Sequence, residues 1–144
     1  MSFAEGTNAS APQKDQLMAL VDGAVLPMVK TYSSQTNTSG NFDVIVIDDQ
    51  DTCLQLRDKY SRWSNWMKFE TADSVIVKDG VYVHKATNHR VYVNRFVLLG
   101  RSEHKCEVQW TRVIASLGGF SKRITLIWKH NAWKVADVKL ISVS

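Results

Sequence analysis

The chain has 144 residues, the size of one ordinary domain, so a second core of useful size is not expected. Apolar residues make up 44% and charged residues 22%, which excludes a disordered, collagen-like or low-complexity chain. The net charge of +4 is unevenly divided: residues 1–72 carry 6 basic and 9 acidic side chains, residues 73–144 carry 12 and 5. A basic half of this kind fits nucleic acid, an acidic partner or a solvated sheet face.

Residues 1–11 are small and polar and read as a flexible lead-in, leaving 12–144 as a single domain. They lack the basic and apolar regions of a secretory signal, and no stretch reaches about 18 consecutive apolar residues, so a cytoplasmic chain without membrane contact is expected. From Pro12 a helix is predicted. Leu17, Leu20, Val21, Ala24 and Met28 share one stripe, and Pro27 should kink or end it. Residues 33–41, SSQTNTSGN, form a loop by composition, and 42–47, FDVIVI, form a short strand. Asp48, Asp49 and Asp51 suit the start of a helix over about 51–69, in which Leu56, Tyr60, Trp63 and Met67 share a face with Cys53 beside them. These acids lack EF-hand spacing, Cys53 and Cys106 read as reduced and buried, and no metal or other cofactor is expected.

From Ala72 the period changes to two. Asp79-Gly80 between SVIVK and VYVHK predicts a type I′ hairpin. Strands follow near 90–100, 105–116, 122–129 and 132–143, so helices come first and antiparallel strands after, an α+β order with the helices on one sheet face.

Register decides which side chains share that face. A two-residue loop at Gly118-Gly119 pairs Leu117 with Phe120, placing Thr111 opposite Leu126 and Trp110 opposite Ile127. A loop at His130-Asn131 pairs Trp128 with Trp133, Leu126 with Val135 and Ile124 with Asp137. A loop over Arg101–His104 sets Arg95 against Trp110 and Phe96 against Gln109. The inner, helix-facing side then carries Tyr92, Asn94, Phe96, Leu98, Gln109, Thr111, Val113, Ile124, Leu126, Trp128, Trp133, Val135 and Asp137. The outer side carries Val91, Val93, Val97, Val108, Trp110, Ile114, Thr125, Ile127, Ala136 and Val138 with five cations and no acid: Arg95, Arg112, Arg123, Lys129 and Lys134.

The last third resembles the end of the nuclear transport factor 2-like (SnoaL-like) superfamily. The resemblance rests on ITLIWK (Ile124 to Lys129), the turn His130-Asn131, and WKV (Trp133 to Val135). It covers about 35 residues; the preceding helices and hairpin agree only in order, and no residue matches a known catalytic motif of the family. The resemblance implies a curved antiparallel sheet wrapped around N-terminal helices into a cystatin-like cone, often with an apolar pocket and often a dimer through the outer sheet face. Its members include isomerases, dehydratases, cyclases, transport adaptors and assembly subunits of secretion systems, so fold alone does not give function.

Candidate site residues follow from the face assignment. Asp137, a carboxylate on a face built for burial, suits a general base at a pocket floor or a rim residue paired with a cation. His84 and Tyr82 share a face and could assist it, or could be ordinary surface residues at a strand end. Tyr92, Asn94, Phe96, Thr111, Trp128 and Trp133 would line a ligand pocket, or pack the core and satisfy one another. Arg95, Trp110, Arg112 and Ile127 would form an interface on the outer face. The leading reading is a non-catalytic binding or assembly module, homodimeric through the outer face, with room for a small apolar ligand or a protein partner. The alternative is a small lyase or isomerase with Asp137 as base, and the third is nucleic-acid binding through the basic face.

Overall fold

The computed structural model describes residues 11–33, 42–115 and 118–143. The lead-in before Ala11, the loop through 34–41 and Leu117 lie outside the described residues. The expected loop at Gly118-Gly119 is not found: both glycines lie in a strand, and Phe120 stands opposite Arg112. Helix α1 (Lys14–Leu20), a π-turn (Val21–Val25) and α2 (Leu26–Ser33) follow one another without a break. Pro27 does not end this run. The turn before it widens, with the Leu26 N–H donating to Val21 O, and the wider turn makes room for a ring that would crowd a regular one.

Helix α3 (Gln50–Lys59) is capped by Asp49, whose Oδ2 accepts the Thr52 backbone N–H at 2.9 Å. It stops well short of residue 69. After a 3₁₀ turn (Ser61–Trp63), residues Met67–Glu70 form a strand in which Met67 and Phe69 are buried and Lys68 and Glu70 are not, a period of two that a helical reading misses. Leu56, Tyr60 and Met67 still reach one core, with Trp63 packed against it.

Eight strands are found among the described residues: β1 (Phe42–Val46), β2 (Met67–Glu70), β3 (Val75–Lys78), β4 (Val81–His84), β5 (Val91–Arg101), β6 (Lys105–Ala115), β7 (Gly118–Lys129) and β8 (Ala132–Val143). The main sheet runs β2-β1-β5-β6-β7-β8, and β4 joins the end of β6 through Val81 opposite Ala115. Strand β1 is parallel to both its neighbours and buried at every residue, as expected of a strand covered on both faces. The remaining pairings are antiparallel, so the fold is α+β on a mixed, mostly antiparallel sheet. The β3–β4 turn has Asp79 and Gly80 at φ 54° and 79°, as the Asp-Gly signal predicts.

Two of the three expected registers fail, because Arg101 and Gly118-Gly119 lie in strands where loops were expected and because bulges then reverse the parity. Trp110 stands opposite Phe96 and Lys122, not opposite Arg95 and Ile127. At the hairpin ends the pairs Arg101–Cys106 and Ala115–Gly118 keep the expected parity, but a β-bulge between Leu98 and Gly100 and another between Val113 and Ala115 reverse it along β6. Strand β6 is therefore turned over relative to the expectation. The β7–β8 hairpin begins as predicted, with His130 and Asn131 both at positive φ and Trp128 opposite Trp133. A bulge between Thr125 and Leu126 then sets Asp137 against Thr125 in place of Ile124.

The main core lies between the helices and the inner sheet face. Leu17, Leu20, Val21, Val25, Val29 and Leu56 pack there with Phe96, Val108, Trp110, Ile124 and Leu126. A second cluster, Phe42, Val44, Val46, Val91 and Val93, lies against Val75, Tyr82 and Val113. No helix among the described residues is long and apolar enough to cross a membrane.

The contact between the π-turn and β8 is very close: a Cβ on Gly23 would fall 2.6 Å from Val135 Cγ2. Alanine is the better helix former by about 1 kcal/mol. Gly23→Ala is nevertheless expected to lower the thermal unfolding midpoint, and Val135→Ala in the same chain should cost less than it does with Gly23 present. A midpoint raised by Gly23→Ala alone would contradict the packing.

Candidate functional site

The most heavily buried polar cluster ties β1, β5 and β6 together. Asp43 and Asn94 are both at 0% exposure. Arg112 grips Asp43 with two hydrogen bonds, Nε to Oδ2 at 2.7 Å and a terminal nitrogen to Oδ1 at 3.1 Å. Asn94 Nδ2 donates to Asp43 Oδ2 at 2.8 Å, and Trp110 Nε1 donates to Asn94 Oδ1 at 2.8 Å. The Arg112 guanidinium lies 3.8 Å from the Tyr92 ring centroid. These groups hydrogen-bond to one another.

This network corrects several expectations. Trp110, at 2% exposure, and Arg112 lie on the inner side, so neither belongs to an outer-face interface, and Trp110 offers no stacking surface to a nucleic acid. Thr111 faces outward with Ser121 and Arg95 and is not a neighbour of Asn94 across the core. The outer face carries Glu107 and Asp137 with Arg95, Arg123 and Lys139, so it is not free of acid. Arg95 is exposed and Ile127 half-buried there; the side chain of Ile114 is outside the described set. Val91 and Val93 are buried in the second cluster and Val108 in the first. The apolar residues that argued for association through that face are therefore mostly used elsewhere.

Asp137 is exposed, on the side away from the helices. It is separated from His84 and Tyr82 by β7 and β6. Tyr82 packs against the second cluster, and His84, at 4% exposure, meets Phe42 edge-on at 5.3 Å. His84 Nε2 is bonded to Glu70 Oε2, and Nδ1 to Thr87 Oγ1 at 2.9 Å. Arg57 completes the group by donating to Glu70 Oε1 at 2.7 Å and to Phe69 O. A pocket of about 300 Å³ opens beside it, lined by Arg57, Tyr60, Met67, Glu70, His84 and Thr87. With both ring nitrogens engaged, His84 can take a substrate proton only if Thr87 or Glu70 moves aside. Tyr60 donates to Asp22 Oδ1 at 2.7 Å, and burial, then that bond, push its hydroxyl well above the ordinary range, so it is a donor and not a base.

Phe96 and Arg95 line a different groove, about 460 Å³, between the starts of α1 and α3 and the end of β1. Trp128 and Trp133 meet edge-to-face at 5.5 Å and line a third pocket with Met18, Ala19 and Asp22 of the α1 side. The expected ligand-pocket residues thus sit in four places: Phe96 in the groove, Trp128 and Trp133 in the third pocket, Tyr92 and Asn94 in the buried polar cluster, and Thr111 on the outer face. What the sequence reading missed is the pair Asp43–Arg112; Asp43 inside the apolar run FDVIVI was the available signal, because a carboxylate in a doubly buried strand requires a cation.

Among the described residues no group of three or more His, Cys, Asp or Glu side chains could hold a metal ion. Cys53 and Cys106 are free and buried, and burial pushes both thiols up. Neither thiol should react rapidly with an aromatic disulfide reagent in the folded chain, and both should react on unfolding; a fast native reaction at either contradicts the burial. Asp43→Ala leaves the Arg112 charge without its carboxylate and should cost about 3–5 kcal/mol in denaturant unfolding. Asp43→Leu with Arg112→Met should cost clearly less, and an unchanged midpoint for Asp43→Ala would dismiss the role given to this pair.

Compared with known proteins, the chain matches no family model, no curated protein and no solved structure.

Proposed function

We propose that the chain is a non-catalytic binding and assembly module of the nuclear transport factor 2-like kind, working through the open edge of β8. The observation that carries this is the exposure of Val138, Leu140, Ile141 and Val143, at 42 to 69%, on a strand that pairs only with β7 among the described residues. Large apolar side chains beside a row of unsatisfied backbone groups form a surface that another protein chain can cover. The ITLIWK and WKV strands with the Trp128–Trp133 pairing, and helices on one sheet face, support the family reading. The filled inner core and the exposed position of Asp137 favour binding over catalysis. The groove of about 460 Å³ beside α1 is where a small apolar ligand would fit, since Leu17, Val46, Ile47 and Phe96 contribute to its wall.

The test compares the wild type with Leu140→Glu/Val143→Glu. The wild type should self-associate at high micromolar concentration in sedimentation, or bind an apolar fluorescent dye. The double variant should lose that property while unfolding within a few degrees of the wild type. A wild type that stays monomeric and binds no more dye than the variant overturns the proposal.

A further inference from the structure

We infer that the occupant of the β8 edge is β8 of a second copy of this chain, paired antiparallel about a two-fold axis at Val138; this rests on the edge reading above. The charge pattern selects the register. Centred on Val138, antiparallel pairing sets Asp137 of each copy opposite Lys139 of the other, giving two opposite-charge pairs by symmetry. Moving the centre by one residue along each strand places Asp137 against Asp137, or Lys139 against Lys139. A one-residue slip in pairing sets Val138 against Asp137 and turns the inner face of one copy to the outer side of the other.

The fold makes this stretch the part of β8 best suited to pairing. Two bulges, at the β7 steps Thr125/Leu126 and Ser121/Lys122, leave Ala136 and Ile141 as the extra residues of β8 and bracket a regular segment from Asp137 to Leu140. Within it Asp137 and Lys139 lie opposite Thr125 and Arg123, on the outer face, while Val138 and Leu140 lie opposite Ile124 and Lys122, on the inner one. The Val138 centre joins Val138 to Val138 and Leu140 to Ala136, where a small side chain leaves room. Lys139 meets a like charge, Arg123, across β7, and the second copy brings a carboxylate to its other side. Because both copies spend the same edge on each other, the assembly closes as a dimer and does not grow into a fibre.

The experiment measures the dimer dissociation constant by sedimentation for the wild type, Asp137→Lys, Lys139→Asp and the double reversal. All three changes are at exposed positions, and an unchanged unfolding midpoint checks that the fold is kept. Each single reversal turns two attractive pairs repulsive and should weaken the dimer about tenfold or more; the double reversal should recover most of the loss. Val138→Cys should form a disulfide-linked dimer under mild oxidation, since facing residues in an antiparallel pair lie about 4.5–5.5 Å apart at Cα. The native Cys53 and Cys106 are too buried to compete. Single reversals without effect, a double reversal no better than the singles, or no Val138→Cys crosslink would overturn this pairing. If association or dye binding is still lost in Leu140→Glu/Val143→Glu, the edge reading stands and only the self-pairing falls. If that variant too behaves as the wild type, both fall.

Discussion

The Asp43 carboxylate, wholly withdrawn from solvent in the second position of β1, is the constraint on which the sheet depends. An ion of this kind is tolerable inside a protein only when a cation and further donors surround it, and those come from β5 (Asn94) and β6 (Arg112). The contact spans 69 residues of sequence. It joins the parallel part of the sheet to the antiparallel part and fixes which side of β6 faces inward. Were β6 turned over, Arg112 would point away from Asp43 and Trp110 would leave Asn94, so the polar network and the apolar core require the same register.

That requirement explains what the sequence could and could not show. Turns with a backbone reason were legible: Asp79-Gly80 and His130-Asn131 occupy positive φ, and both hairpins form where those residues stand. The cap at Asp49 was legible because a carboxylate before a helix has one evident use. Bulges were not. An extra residue in a strand has no composition of its own, yet it reverses every side chain beyond it, so correct parity at a turn did not carry along β6 or past Ala136 on β8. Pro27 misled in the other direction, since the π-turn ahead of it absorbs a clash that sequence rules count as terminal.

The same reversals redistribute chemistry. Turning β6 over brings Trp110 and Arg112 into the interior and puts Glu107, Gln109 and Thr111 outside, where Gln109 bonds Ser121 at 2.9 Å. The outer face becomes a mixed polar surface of the sort water covers well. The bulge near Ala136 takes Asp137 out of the helix-facing side, and with it the carboxylate expected at a pocket floor. The basic excess of the second half remains, but it is shared with acids and has no exposed aromatic platform at Trp110. It describes a solvated face better than a track for phosphates.

Among the described residues, the end of β8 gathers four exposed large apolar side chains within six positions. The molecule's core is closed by two helical runs and its deepest charges are paired, yet the end of its final strand carries large apolar side chains in water. Natural sheets protect long edges with bulges, charges or short length, because an open ladder recruits any strand that reaches it. The opposite edge, β2, follows that rule with four residues. Strand β8 has twelve, and its two bulges twist the ends of a short regular segment without removing it. The alternation of Asp137 and Lys139 within that segment admits a strand of complementary charge and repels the same strand in neighbouring registers. An edge that is apolar on the inner side and charge-coded on the outer side combines adhesion with selection, and selection is what separates an assembly surface from an aggregation site.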